Sequence, residues 1–302
     1  MKFGRLEDVG NVDFSLPNKI LANAKILASG KDSNVPLQIY LGCPAWGNKE
    51  WKTKIYPVNA KNNEFLKYYA ENFNTVELNS SHYSIPANKT ILKWCEMVGD
   101  DFKFCPKYHQ AVSHHNKLVD CQGWLDSFYE MTAQFGSKLG TCFLQLSPSL
   151  IPEDINALES ILANRPKGFE LAVEFRNENW FQVDAWNSTL ELLQKYNAST
   201  VITDTAGRRD VSHMNLTNDT AFIRFVGNNL HPTDFTRIDN WISEIEKWRA
   251  AGLQKLYFII HEPDEFYCPE LAQYFAKNIN LRLNTNLKPI QIKEKPIQGS
   301  LF

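Results

Sequence analysis

Short runs of mainly apolar, β-branched and aromatic residues recur along the chain, and polar or turn-forming segments separate them. Each run has the length of a strand rather than that of a helix. The runs are QIYLG (38–42), TVELN (75–79), FKFCPK (102–107), TCFLQL (141–146), ELAVEFR (170–176), STVITD (199–204), AFIRF (221–225) and LYFIIH (256–261). The pattern therefore predicts eight β-strands.

Amphipathic segments long enough for a helix lie between most of these runs, at 64–72, 89–97, 124–135, 185–196 and 241–250. Strands that alternate with helices indicate parallel pairing. Eight such units close naturally into a TIM-type (β/α)8 barrel. An open doubly wound sheet usually has a G-x-G-x-x-G turn, and the first strand is followed by GCPAWG instead. We predict an α/β barrel.

The pattern also predicts a domain layout with the barrel in the middle of the chain. Residues 1–36 are polar with one short helical patch, so they predict an extension that packs on the outside. The barrel spans 37–281, and 282–302 form a tail. The connection 205–219 is short and polar, which predicts a shortened sixth helix.

Composition restricts the class of protein. A chain of 302 residues with 43% hydrophobic residues can bury a large core, and its net charge of −2 gives no general attraction to nucleic acid or membranes. No run of apolar residues is long enough to span a bilayer, so a cytoplasmic protein is expected. The six cysteines form no C-x-x-C pair, and no cofactor motif is present, so no cofactor and no bound metal are predicted.

The strands predict a polar site inside the barrel mouth. Alternate residues of a strand face opposite sides, so the apolar Val76 and Leu78 face the helices and leave Glu77 and Asn79 pointing inward. The same count on the later strands gives Lys107, Gln145, Glu174, Arg176, Asp204, Arg224 and His261. Barrel active sites lie at the carboxyl ends of the strands, which is where these residues fall.

A structural alternative is that these charges are ion pairs that close the barrel mouth. Burying many charged groups for structure alone is costly, which favours a functional site. The aromatic residues Trp46, Tyr83 and Trp180 follow strand ends and are predicted to line the rim, where they would stack on a sugar ring or a base. The polar stretch 226–239 is predicted to be a lid over the mouth.

Several segments resemble the YecE-like family, also known as DUF72, a domain of unknown function. They are LGCPAWGNKEWKTKIYP, EFLKYYAENFNTVELNSSHYSIP, FKFCPKYHQAVSHH, FLQLSPS and LAVEFRNENWF. The resemblance runs from about Gln38 to about Asn280. It implies a TIM-type barrel and brings no established activity with it.

The resemblance also implies which polar positions matter. They are Trp46, Glu77, Asn79, Tyr83, Lys107, His114, Gln145, Glu174, Arg176 and Trp180. The chain departs from the family pattern at the last strand, where His261, Glu262 and Pro263 stand in place of an asparagine pair. Residues 1–36 resemble an extension found in only part of the family.

Two kinds of chemistry fit the predicted site. Glu77 and Glu174 could act as acid and base across a bond, with Lys107 and Asp204 as further candidate catalytic groups. Lys107, Arg176 and Arg224 could instead hold an anion. In a structural alternative, Glu174 pairs with Lys107 or Arg176 and only orients that side chain. A metal site at the carboxylates and His261 would be opposed by the same cations.

The leading hypothesis is an enzyme that acts on a small polar molecule, anionic or sugar-like, and it leaves the reaction open between a hydrolase and a lyase. Trp46, Asn79, Tyr83, His114, Gln145, Arg176, Trp180, Arg224 and His261 are the predicted substrate-binding residues. The alternatives are a nucleic-acid-processing or nucleic-acid-binding protein and a noncatalytic metabolite-binding protein. The sequence leaves the oligomeric state open.

Overall fold

The computed structural model describes residues 3–31 and 35–293, and a ring of parallel strands forms its centre. The strands are β1 (Gln38–Cys43), β2 (Thr75–Leu78), β3 (Lys103–Pro106), β4 (Cys142–Gln145), β5 (Leu171–Glu174), β6 (Ser199–Asp204), β7 (Thr220–Val226) and β8 (Lys255–His261). All eight coincide with the predicted runs to within one or two residues at each end.

The sheet is a nearly closed barrel. Hydrogen bonds join the strands in the order β3-β2-β1-β8-β7-β6-β5-β4. The two outer strands of this order meet through isolated parallel bridges between Lys107 and Phe143 and between Phe104 and Leu139. The predicted TIM-type α/β barrel is confirmed, and a barrel brings the carboxyl ends of all strands to one mouth.

Helices cover the outside of the barrel. The described residues contain α1 (Ile20–Leu27), α2 (Phe65–Ala70), α3 (Ser80–Tyr83), α4 (Asn88–Glu96), α5 (Gln122–Ala133), α6 (Ile155–Ala163), α7 (Val183–Lys195), α8 (Pro232–Ala251) and α9 (Cys268–Leu283). Residues 205–219, all of them described, contain no helix. The sixth helix, which we predicted to be shortened, is therefore absent from this connection. None of the helices in the described ranges is long and apolar enough to cross a membrane.

The predicted lid at 226–239 is wrong. Helix α8 begins at Pro232, and only 227–231 remain as a loop. Proline suits the first turn of a helix because its φ is already helical, and the His231 ring accepts a hydrogen bond from the Thr233 amide at 3.3 Å. The helix then buries Ile238 and Trp241 against the barrel.

The interior of the barrel is filled below the mouth. Its apolar side chains are Cys105, Phe143, Ala172, Val201, Phe222, Tyr257 and Ile259. Each lies on the inward phase of its strand, so the next inward residue toward the carboxyl end sits on top of this layer. The packed layer is therefore the floor of the site.

The amino-terminal extension has two parts. Helix α1 packs on α8 outside the barrel, as predicted, and Asn23 fixes it through hydrogen bonds to the backbone of Met214 and Leu216 at 2.8 and 2.9 Å. The first described residues of the extension lie against the mouth instead, since the carbonyl of Gly4 accepts a hydrogen bond from the Gly207 amide at 2.7 Å. Of the predicted extension and tail, 1–2, 32–34 and 294–302 lie outside the described residues.

Candidate functional site

Arg224 holds two glutamates together at the centre of the mouth. Its Nε and Nη2 donate to the two carboxylate oxygens of Glu77 at 2.7 and 2.8 Å. Its Nη1 donates to Glu174 Oε2 at 2.9 Å. All three side chains are buried, so strands β2, β5 and β7 are joined by ion pairs out of contact with water.

Both glutamates are held as carboxylates. Burial by itself raises a carboxyl pKa, but the charge of Arg224 and the contact with the His261 ring leave the pKa of Glu77 well below its usual range. At Glu174 the charges of Arg176 and Arg224 outweigh burial and lower the pKa to about 2. A carboxyl group with so low a pKa is a poor general acid at neutral pH.

Neutral side chains satisfy the remaining carboxylate positions. Asn79 Nδ2 donates to Glu77 at 2.8 Å, and His261 Nε2 lies 3.1 Å from the same carboxylate. Gln145 Nε2 donates to Glu174 at 2.8 Å. Five of the predicted site residues thus meet with Arg224 in one hydrogen-bonded network, as a site built from strand ends requires.

Lys107 lies at the edge of this network. Its ammonium donates to the Gln145 side-chain oxygen at 2.9 Å rather than to a carboxylate. Burial and the nearby charge of Arg224 lower the pKa of Lys107 to about 8. A small neutral fraction of this amine is therefore present at neutral pH.

Arg176 completes the charged set. Its Nη2 lies 2.7 Å from Glu174 Oε1, and burial lowers the pKa of Arg176 to about 10. The network contains three cations, Lys107, Arg176 and Arg224, against two carboxylates. These five side chains therefore carry one net positive charge together.

Two histidines lie beside Lys107. The ring of His114 meets the ring of His82 edge-on, with centroids 5.0 Å apart. Burial and the charge of Lys107 lower the pKa of His82 to about 4 and also lower the pKa of His114. Sequence reasoning missed His82, although it stands in the SSHYSIP segment directly after Asn79.

The placement of Asp204 inside the mouth is wrong. Its carboxylate accepts hydrogen bonds from Trp241 Nε1 at 2.8 Å and from Arg237, and it pairs with Arg209, all on the outer side of the barrel. The inward residue of β6 is Thr203, whose hydroxyl donates to Glu174 at 2.9 Å. Every residue of β6 is buried, so polarity along this strand does not reveal which phase faces inward.

The placement of Trp180 at the rim is also wrong. Its side chain is 1% exposed, its Nε1 donates to the Leu150 carbonyl at 2.9 Å, and its ring packs on Phe175 at 5.0 Å. Phe175 is on the outward phase of its strand. Trp180 is therefore part of the core between the barrel and its helices.

The other two predicted rim aromatics lie at the carboxyl end. Tyr83 is 68% exposed. Trp46 packs edge-on against Trp94 at 5.2 Å, and it also lines a cavity of about 230 Å³ together with Glu77 and Asn79. Their role as rim residues that contact a ligand stays a prediction.

A second cavity, of about 550 Å³, opens at the amino ends of the strands. Its charged lining includes Glu170 and Lys255, which form an ion pair at 2.5 Å. These two side chains are partly exposed and satisfy each other. Because barrel sites form at the carboxyl ends, and because Lys107, Arg176 and Arg224 are buried there, the carboxyl end is the candidate site.

Metal binding was tested by the geometry of candidate ligands. Within 3–31 and 35–293, no three His, Cys, Asp or Glu side chains are arranged so that they could hold a metal ion. In the mouth, Glu77 and Glu174 already accept from Arg224.

Comparison with known proteins agrees with this architecture. The curated relative UPF0759 protein YecE of Escherichia coli (strain K12) is 28% identical over 284 residues, which cover 87% of this chain and 100% of the relative. A crystal structure of a DUF72 family protein from Enterococcus faecalis V583 has a TM-score of 0.68 at 20% identity, and covers 84% of this chain and 99% of its own.

A second solved structure, a DUF72 family protein from Thermotoga maritima MSB8, gives a TM-score of 0.66 at 21% identity over 80% of this chain and 99% of its own. At such identities the two structures bear on the fold alone. The family model described as "Protein of unknown function DUF72" matches residues 40–295, most of the chain. The chain belongs to the DUF72 family.

Proposed function

We propose that the carboxyl-end site binds a small anionic molecule and that the protein is an enzyme acting on it, with Lys107 as the proton-transfer group. The observation that carries this proposal is the state of Lys107. It is a buried amine with a pKa near 8 that donates to an amide oxygen instead of a carboxylate. Lys107, rather than Glu77 or Glu174, is then the group that transfers the proton.

An anionic ligand follows from the charge of the mouth. Arg224 is occupied by Glu77 and Glu174, whereas Lys107 donates to Gln145 and Arg176 pairs with Glu174. Phosphate and carboxylate groups match an ammonium beside a guanidinium. The net positive charge of the network favours such a group.

The acid–base assignment follows from the pKa values. A proton-transfer group works best when its pKa lies near the working pH. The pKa of Glu174 is lowered to about 2 and that of Lys107 to about 8, so Lys107 lies much nearer to neutrality. A neutral Lys107 amine could accept a proton from the ligand or attack a carbonyl carbon.

The glutamates then have a positioning role. They fix Arg224 and, through Gln145 and Arg176, the two cations that would contact the ligand. Tyr83 and Trp46 border the mouth and would contact an apolar face of the ligand, such as that of a sugar ring. Hydrolysis and elimination both remain compatible with this arrangement.

The noncatalytic alternative uses the same pocket and differs in turnover alone. A nucleic-acid partner is disfavoured by the net charge of −2. The cytoplasmic location expected from the sequence also stays a prediction.

Binding can be tested by calorimetric titration of inorganic phosphate, followed by sugar phosphates and hydroxy acids. We expect Lys107→Met to weaken binding by about tenfold or more, since a hydrogen bond to a charged group is lost. Lys107→Arg keeps the charge and should stay close to the wild type. Lys255→Met is the matched control at the amino end and should bind as the wild type does.

Two outcomes would overturn the binding proposal. One is a loss of affinity in Lys255→Met but not in Lys107→Met, and the other is no binding of any of these anions. Once a ligand that is converted has been found, Lys107→Arg should bind it without turning it over. Normal turnover by Lys107→Arg would remove Lys107 as the proton-transfer group.

A further inference from the structure

The amino-terminal segment 3–9 lies across the mouth, and we call it the strap. Its chain turns at Gly4, which has a φ of +65°. The Gly4 carbonyl accepts hydrogen bonds from the Gly207 amide at 2.7 Å and from the Thr205 hydroxyl at 2.9 Å. A side chain at position 4 would meet Thr205 Cγ2 at 2.5 Å, so this close approach needs glycine.

The strap covers a charged residue of the site. The ring of Phe3 lies over the guanidinium of Arg176, 3.7 Å from its carbon, and 5.3 Å from that of Arg208. Arg176 is 6% exposed although it stands at the open end of the barrel. Phe3 therefore occupies a place from which a ligand would reach Arg176.

The strap is held loosely. Residues 5–8 are exposed, and of the strap only Val9 is buried. A cavity of about 270 Å³ lies between residues 5–9 and the neighbouring loops at 228–231 and 263. Among the described residues, its contacts with the mouth include the hydrogen bonds to the Phe3 and Gly4 carbonyls and the stacking of Phe3 on two guanidiniums, and surface contacts of this kind can break without disturbing the barrel.

The rest of the extension is anchored. Phe14 stacks on the guanidinium of Arg237 at 4.4 Å, outside the site. Beyond it, the buried Asn23 fixes α1 to the backbone of residues 214–216. The strap is thus a weakly held segment, and the residues that come after it in the chain are fixed. This is the arrangement of a gate.

From these contacts we infer that the strap is a gate, which opens to expose Arg176 and closes over the mouth through Phe3. This inference concerns access to the site, whatever the ligand and reaction are. Its test therefore avoids ligand binding and measures the exposure of Arg176 directly.

The experiment measures the rate at which phenylglyoxal modifies Arg176 in the full chain, located by mass spectrometry. In Phe3→Ala we expect the rate to rise by about fivefold or more, the effect of losing one cation–π contact. Phe14→Ala removes a similar ring from an arginine outside the site and is the control. It should leave Arg176 modification unchanged.

A second variant detaches the strap at its turn. A Cβ at position 4 would meet Thr205 Cγ2 at 2.5 Å, so Gly4→Ala should displace the strap and raise the rate of Arg176 modification, as Phe3→Ala does. Equal rates in the wild type and Phe3→Ala would overturn the gate, as would equal rises in Phe3→Ala and Phe14→Ala or an unchanged rate in Gly4→Ala.

Discussion

The two ends of the barrel both carry ion pairs, but they carry them in different surroundings. At the amino end, the side chains of Lys255 and Glu170 are 22% and 47% exposed. At the carboxyl end, Arg224, Glu77 and Glu174 are almost completely buried. Exposed pairs contribute little to stability, whereas each buried charge depends on its partners.

This difference bears on function. The amino end closes with an exposed ion pair and with the rings of Tyr40 and Tyr257, stacked 4.7 Å apart. A barrel end therefore needs no buried charges in order to close. The buried network at the other end costs desolvation, which supports the proposed ligand site.

The largest expected effect comes from breaking the buried network. Arg224→Met leaves Glu77 and Glu174 without their main partner, and we expect the free energy of unfolding to fall by about 3–5 kcal/mol. Lys255→Met at the amino end should cost about 1 kcal/mol or less. Urea unfolding measures both, and similar losses would remove the contrast between the two ends.

A second prediction separates core from rim at the carboxyl end. Trp180→Ala removes a buried ring and should lower the free energy of unfolding by about 3–5 kcal/mol. Tyr83→Ala removes an exposed ring and should change it by about 0.5 kcal/mol or less. Thermal unfolding compares them, and a mild Trp180→Ala would return this residue to the rim.

A third prediction concerns acid. Because the folded pKa of Glu174 is lowered to about 2, its stabilisation is complete above the unfolded pKa and is lost as pH falls from about 4.3 toward 2. We expect Glu174→Gln to remove about 2–3 kcal/mol of acid-dependent stability. The profile of urea midpoints against pH measures this change, and the same profile in Glu174→Gln and the wild type would contradict the assignment.

The smallest effect is a gain in stability. The folded pKa of Lys107 is about 8, below its unfolded value, so the cost of its buried charge is present below pH 8 and is relieved as pH rises toward about 10.4. At pH 7 the free energy of unfolding of Lys107→Met should therefore be about 1–2 kcal/mol higher than that of the wild type, after allowing for the lost hydrogen bond. Urea unfolding measures this difference. The advantage should vanish near pH 10.5. A destabilised Lys107→Met at pH 7 would mean that Lys107 serves stability instead of a ligand.

The sequence predicted the barrel because strands and helices alternate with clear periods. It predicted the inward direction of Glu77 because Val76 and Leu78 mark the outward phase of that strand. The prediction failed at Asp204 because β6 is buried on both faces, so the polarity of its residues does not show which of them face the barrel interior.

The remaining errors have local causes. A tryptophan that follows a strand end can turn to either side, and Trp180 turns toward the helices. The stretch at 226–239 was polar enough to suggest a loop, although Pro232 after His231 is a helix-start signal. His82 was missed because the predictions in its motif concerned Asn79 and Tyr83. The covering of Arg176 by the strap depends on tertiary contacts that no local pattern encodes.

We propose that the ligand binds at the carboxyl end of the barrel rather than at the amino end. A crystal structure of the protein soaked with inorganic phosphate would examine both cavities at once. We expect an anion in contact with the Lys107 ammonium and the Arg176 guanidinium. An anion found only in the amino-end cavity, beside Arg165 and Lys255, or no anion at the carboxyl end, would rule the proposal out.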